Sequence, residues 1–156
     1  MFPPDFIDAE RIGCRLDIGS KKRVLERLGE LLASGAPDLS PEQVFEHLLE
    51  RERLGSTGLG HGIALPHARM PEVEKAVGAF VQLHEGVDFD AIDDRPVDLA
   101  FALLVPQEAT EEHLQLLAKL AAMFSNEMLC RNLRSGADAA ELLRHIQEWE
   151  SFTGET

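Results

Sequence analysis

The residues best suited to do chemistry lie close together, between Arg51 and Arg69. They read Arg51-Glu52-Arg53-Leu54, then Gly55-Ser56-Thr57-Gly58-Leu59-Gly60-His61-Gly62, then Ile63-Ala64-Leu65-Pro66-His67-Ala68-Arg69. Four glycines in eight residues let backbone N–H groups approach an anion closely. Ser56 and Thr57 can donate hydroxyl hydrogen bonds, and Arg51 can meet a doubly charged group in a forked geometry. That inventory suits a phosphoryl group, with Ser56, Thr57 and Gly58 as the phosphate loop. Neither familiar nucleotide motif is present. No Gly-Lys-Ser/Thr follows the glycines, and the third glycine of a dinucleotide fingerprint would fall on Ile63. Read alone, the same glycines also describe a plain turn that needs positive φ.

His67 follows an apolar tetrapeptide, Ile63–Pro66. A neutral imidazole has one nitrogen lone pair, so it can attack phosphorus when its other nitrogen is held as a donor. A lone histidine is equally compatible with a structural or solvated position.

The elements that must position these residues are marked by spacing and by caps. Ile12, Cys14, Leu16 and Ile18 alternate within Arg11–Ile18, a half-buried strand. Ser20 is an N-cap for a helix to about Ala33, stopped by Gly35 and Pro37. Ser40-Pro41-Glu42-Gln43 is a capping box opening a helix to about Leu54. Its inward stripe is Val44, Phe45, Leu48 and Leu49, with Arg51 in the last turn and Gly55 leaving left-handed. The glycine stretch is a loop and Ile63–Pro66 a short strand. Ala76–Leu83 and Val97–Val105 are buried strands joined by the polar connection Glu85–Pro96. Thr110 caps a helix with Glu111 and Glu112 in its first turn and an apolar stripe of Leu114, Leu117, Ala121 and Phe124, bordered by Leu116 and Leu120. Helices over Asn126–Leu133 and Asp138–Trp149 precede a frayed polar tail, Glu150–Thr156. The order is strand, two helices, three strands, three helices. That order describes one α/β domain spanning 1–156, with its core at about 7–149 and a mixed sheet rather than a wholly parallel one.

Composition removes several function classes. The 156 residues carry 28 Asp and Glu against 15 Lys and Arg, a net charge of -13. This balance argues against duplex nucleic acid and against a polybasic membrane surface. No apolar run approaches the roughly 20 residues needed to span a bilayer, and Met1–Ile7 lacks a signal pattern, so a cytoplasmic protein without membrane insertion is expected. Cys14 and Cys130 form no CxxC, which gives no disulfide framework or thiolate metal site.

The stretch from Glu52 through Leu59-Gly60-His61-Gly62-Ile63-Ala64-Leu65-Pro66-His67-Ala68 resembles the signature of the mannitol/fructose-type IIA domains of the bacterial phosphoenolpyruvate-dependent phosphotransferase system. Arg51–Gly58, Phe89–Leu99 and Phe101–Pro106 are similar to the nitrogen-regulatory branch in particular, and the resemblance covers about Ile7–Ile146. It implies a three-layer α/β/α domain in which His67 accepts a phosphoryl group from an HPr-like carrier as a tele-phosphohistidine. His113 matches the family's second, supporting histidine, and Arg51 with Ser56 and Thr57 would stabilise the phosphoryl oxygens. The implied protein is a phosphotransferase component that needs no cofactor. Its phosphorylation state is read by partner proteins, potassium transport and sensor proteins among them. The competing reading is a sugar-specific IIA that passes phosphate to a IIB domain. His61 and Ala68 depart from the asparagine and glycine common at those positions, and His61 is expected to face solvent. A metal site from His61, His67 and His113 lacks any i,i+4 histidine pair or CxxC to support it. His47, His84 and His145 read as ordinary helix or strand-end residues. Within the acidic chain, a small neutral-to-positive island is expected around Arg51, His67 and Arg69.

Overall fold

Two long apolar runs make the centre of the molecule. The computed structural model describes residues 2–3, 5–108 and 110–154. Its elements are a 3-10 turn (Ala9–Arg11), β1 (Ile12–Leu16), α1 (Lys21–Ser34), α2 (Pro41–Arg53), β2 (Gly58–Gly60), β3 (Ile63–Ala64), β4 (His67–Met70), β5 (Val77–Val87), β6 (Val97–Pro106), α3 (Thr110–Phe124), α4 (Glu127–Ser135) and α5 (Ala139–Gly154). The strands form one mixed sheet in the order β1-β5-β6-β3-β2. β5 and β6 are antiparallel, β1 is parallel to β5, and β3 and β4 are both parallel to β6. The pair β3 and β4 is thus one strand along β6, interrupted at Leu65-Pro66.

Alternation along the central strands assigns each side chain to a layer. Ala79, Val81, Ala100, Ala102 and Leu104 face α1 and α2, where Val24, Leu25, Leu28, Leu32, Val44 and Leu48 meet them. Phe80, Leu99, Phe101, Leu103 and Val105 face the other way, against Leu116, Leu120, Met123 and Phe124 of α3 and against α4 and α5. Helices cover both faces, so β6 is buried along nearly its whole length, which explains its near-continuous apolar run. This is the expected three-layer α/β/α arrangement. Gln82 is the polar exception in β5. It is buried, donates from Nε2 to the Leu133, Arg134 and Gly136 carbonyls, and so ties the end of α4 to the sheet.

The caps of α1 and α2 form as expected: Ser20 accepts from Arg23 N, and the Ser40/Gln43 capping box is complete. Gly55 follows α2 with a positive φ of 153°. Other details differ from expectation. The middle run holds five strands rather than three, because the glycine stretch and the residues after Pro66 pair with the sheet. Gly58–Gly60 and Ile63–Ala64 form a hairpin whose two turn residues, His61 (φ 57°) and Gly62 (φ 82°), both have positive φ, the pattern of a tight primed turn. β5 continues to Val87, into the connection expected to be polar loop. Thr110 is the first helical residue of α3 rather than its cap, and the preceding residue, Ala109, lies outside the described ones. The buried stripe of α3 is His113, Leu116, Leu120, Met123 and Phe124, rotated from the expected one, and Leu114 is 63% exposed. Phe124, common to both stripes, packs against Phe80 and Phe101, while burial of His113 and Met123 in place of Leu114 and Ala121 turns the rest of the face. α5 runs on to Gly154 instead of fraying after Trp149, and residues 155–156 of the expected tail lie outside the described ones. No helix among the described residues is long and apolar enough to cross a membrane.

Loss of the capping box gives a direct check on how α2 is anchored. Ser40→Ala should lower stability by about 1 kcal/mol. For a chain of this length that corresponds to about 2–4 °C in melting temperature. An unchanged melting temperature would show that the box contributes nothing.

Candidate functional site

Three elements bring their ends together: the last turn of α2 with Arg51 and Glu52, the start of β4 with His67, and the first turn of α3 with His113. What holds the first of these is a buried charge. Glu52 is only 6% exposed. Its Oε1 accepts from Thr57 N (2.9 Å) and pairs with Lys21 Nζ (3.1 Å), and its Oε2 accepts from the Thr57 hydroxyl (2.6 Å). A buried carboxylate is tolerated only when paired and hydrogen-bonded in this way. The network fastens the end of α2 to the turn that follows, and it uses both donors of Thr57.

The neighbouring donors are committed as well. Ser56 Oγ donates to the Phe89 carbonyl (2.7 Å) and accepts from Gly58 N (3.0 Å). A Cβ on Gly58 would stand 2.8 Å from Ala91 Cβ, so this glycine serves close packing. The structure therefore does not bring Ser56, Thr57 and Gly58 to His67. None of them lines the depression in which His67 lies.

His67, Arg51 and His113 do come together. His67 Nδ1 lies 2.8 Å from the Leu65 carbonyl oxygen, which can only accept, so Nδ1 carries the proton. Arg51 Nε lies 3.3 Å from His67 Nε2 and can only donate, so Nε2 holds the lone pair. Both hydrogen bonds select the same neutral tautomer. Arg51 is itself steadied by a bond from Nη1 to the Gly55 carbonyl (2.9 Å). Burial pushes the His67 pKa down, and the Arg51 and Arg69 charges add to this against the opposing pull of the Leu65 carbonyl and Glu52. The His113 ring stands edge-on to His67, with centroids 5.1 Å apart at 68°. His113 is buried, and its Nε2 has no hydrogen-bond partner among the described residues. Its pKa is lowered to about 4, by burial first and then by His67, Arg69 and Arg51. Arg69 reaches across to Thr110 Oγ1 (3.3 Å) and ties β4 to the start of α3.

The depression is lined by His47, Glu50, Arg51, Arg53, Leu54, His67, Ala68, Arg69 and His113, three arginines against one carboxylate. A cationic island thus surrounds His67, as the sequence led us to expect. A neutral imidazole whose proton is fixed on one nitrogen, and whose other nitrogen opens beside a guanidinium, can attack an electrophilic phosphorus. Two contributors went unread in the sequence: the Leu65 carbonyl and the buried Glu52 anchor. Pro66 was the available signal for the first, since it breaks the strand beside His67. His61 does not join this group. It lies in the β2–β3 turn, donating its N–H to Asp93 Oδ2 (2.8 Å) and accepting from Arg134 at its carbonyl (2.7 Å). Its positive φ accounts for the asparagine usual there, since asparagine tolerates that conformation.

Comparisons with known proteins agree with one another. The family model for the phosphoenolpyruvate-dependent sugar phosphotransferase system, EIIA 2, matches residues 5–149. A nitrogen regulatory protein of Pseudomonas aeruginosa is 50% identical over 128 residues, covering 82% of this chain and 82% of the relative. The crystal structure of nitrogen regulatory protein IIA-Ntr from Neisseria meningitidis is similar at a TM-score of 0.85 and 45% identity, over 90% of this chain and 95% of that one. In the complex of enzyme IIAMtl with phosphorylated enzyme IIBMtl from Escherichia coli, a chain is similar at a TM-score of 0.75 and 27% identity, over 91% of this chain and 97% of that one.

The depressed histidine pKa values set a pH dependence. In the unfolded chain His113 takes up a proton near pH 6.5, whereas in the folded chain it does so only near 4. The unfolded state therefore binds more protons between these values, and stability falls as pH drops through that window. Urea unfolding across pH 4–7 should show this loss, and His113→Asn should flatten it. An equal slope in the variant would remove the buried neutral His113 as its source.

Proposed function

The chain belongs to the EIIA 2 family of the phosphotransferase system, in its nitrogen-regulatory branch, and on that premise we propose that His67 Nε2 accepts a phosphoryl group from the phosphohistidine of an HPr-like carrier. The observation that supports this most directly is the division of labour on one imidazole, with Nδ1–H bonded to the Leu65 carbonyl and Nε2 open toward Arg51. In the transfer, Arg51 Nε releases the Nε2 lone pair and turns to the phosphoryl oxygens, and that lone pair becomes the new N–P bond. The carrier's N–P bond breaks and its electron pair returns to the carrier's imidazole, while the His67 proton stays on Nδ1. Transfer between two histidines is nearly balanced in energy, so orientation and charge stabilisation of the equatorial oxygens decide the rate. Arg51 is the group placed to provide that stabilisation, because it already sits against the attacking nitrogen. His113 is the supporting histidine, with a nitrogen free to meet a phosphoryl oxygen. Ser56, Thr57 and Gly58 act indirectly, by holding the turn whose Gly55 carbonyl receives Arg51.

The product state is the signal. Adding about two negative charges beside Arg51, Arg53 and Arg69, with Glu50 also in the lining, cancels the positive balance of the depression. Regulatory partners, potassium transport and sensor proteins among them, would read that loss of positive charge in the cytoplasm, and the single domain of 1–156 serves as both acceptor and readout. Exposed Leu54 in the lining, and exposed Leu114 next to His113 in the first turn of α3, offer the apolar contact a carrier needs. A second reading, onward transfer to a IIB domain, draws support from the likeness to a IIA protein seen in complex with phosphorylated IIB.

Incubation with phosphoenolpyruvate, enzyme I and the HPr-like carrier, followed by intact-mass measurement at alkaline pH, tests the proposal. The chain should gain one phosphoryl group, and His67→Ala should gain none. Arg51→Ala should remain folded and slow the reaction by about 10²-fold, the usual cost of removing one such donor. Phosphoryl uptake by His67→Ala would sink the proposal, and an unchanged rate in Arg51→Ala would remove Arg51 from it. The lowered His67 pKa keeps Nε2 unprotonated below pH 6.5, so the acid limb of the rate should lie below that value. Offering the phosphorylated protein a sugar-specific IIB separates the two readings: rapid dephosphorylation with sugar phosphate formed would favour the second.

A further inference from the structure

Cations are scarce in this chain, 15 against 28 carboxylates, yet three arginines line a second concavity that the proposed phosphoryl chemistry does not use. It is a cavity of about 450 Å³ whose floor is Ile63, Phe124 and Cys130 and whose rim carries Arg95, Arg131 and Arg134. Arg134 is a fixed wall: it holds Asp98 through Nε (2.9 Å) and Nη2 (3.1 Å) and donates to the His61 carbonyl (2.7 Å). Arg95 and Arg131 are exposed, and neither guanidinium has a hydrogen bond or ion pair within the described residues. Arg95 lies within electrostatic reach of Asp93, whose carboxylate is already occupied by the His61 and Arg95 backbone N–H groups. Glu127 is the one carboxylate among the lining residues, so with Arg134 neutralised by Asp98 the lining itself carries one net positive charge, with the Asp93 carboxylate just outside it beside Arg95.

The cavity is separate from His67. Gly62 receives Asp98 N and Leu99 N at the start of β6, whereas His67 pairs with Leu103. Four residues of strand amount to about 13 Å. The position of Arg131 and Arg134 is also built in, because Gln82 clamps the carbonyls at the end of α4. Two unpaired guanidinium forks over an apolar floor, in a volume typical of ligand pockets, match an anion with an apolar body.

We propose that this cavity binds a small organic dianion, a phosphomonoester or a dicarboxylate bearing an apolar group, with Arg95 and Arg131 on the anionic end and Ile63 and Phe124 beneath the apolar part. Amide NMR titration of the full chain with phenyl phosphate, 2-phenylsuccinate and inorganic phosphate tests it. At least one aromatic dianion should bind saturably, about tenfold or more tighter than inorganic phosphate, with shifts centred on Ile63, Phe124 and Cys130. The tighter of the two identifies the anionic group. Arg95→Gln and Arg131→Gln should each weaken binding about tenfold or more. Arg53→Gln and His67→Ala should bind like the parent, which keeps the outcome independent of phosphoryl transfer. Shifts centred on Arg51, His67 and Arg69, unaltered affinity in the Arg95 and Arg131 variants, or no saturable binding would each overturn the assignment.

Discussion

The hydrogen bond from His67 Nδ1 to the Leu65 carbonyl is the constraint around which the site is arranged. In a continuous strand the carbonyl two residues back is part of the ladder or points away from the ring. Here the strand along β6 is broken at Leu65-Pro66, and the Pro66 carbonyl still receives Leu103 N (3.0 Å), so the break is held from both sides. The break gives the Leu65 carbonyl to the imidazole, and that bond decides which ring nitrogen keeps its lone pair. The proton position on His67 is therefore a property of the backbone, set before any partner arrives.

Arg51 reaches the same nitrogen through a different chain of causes. Glu52 is buried one residue away and is satisfied by Lys21 from α1 and Thr57 from the following turn. Removing either partner would leave a charge without compensation, which costs several kcal/mol in a protein interior. This network joins α1, α2 and the glycine turn into one body that presents the guanidinium. The same cations that aid an incoming anion also keep His67 and His113 from protonating. Attraction for an anion and acid sensitivity thus arise from one electrostatic field.

Much of this was legible in the sequence. The Ser40 capping box, the Ser20 cap and the two central strands follow from local rules, and the motif around His67 named three side chains, Arg51, His67 and His113, that the fold brings together. The parts that were not legible share a cause: a residue's type disguised its tertiary role. His113 is polar, so a periodicity count placed the α3 stripe on Leu114, Leu117 and Ala121, whereas the helix buries His113 with Leu116 and Leu120. Thr57 and Ser56 carry donors suited to a phosphate, but those donors answer a buried carboxylate and a backbone carbonyl that only the fold supplies. Gly58 looked like anion-loop backbone and is instead the contact surface for Ala91.

The two faces of the sheet also differ in grain. Toward α3, α4 and α5 the central strands present phenylalanine and leucine, but toward α1 and α2 they present Ala64, Ala68, Ala79, Ala100 and Ala102, all buried. These alanines set the stand-off of the layer that carries Arg51, much as shims set the gap between machined plates. A thicker shim would leave the sheet and its histidine in place while lifting the guanidinium away from Nε2. The reach of the cation is thereby set at positions that touch neither histidine nor arginine, where a single added methyl group changes where the guanidinium lies and not what it is.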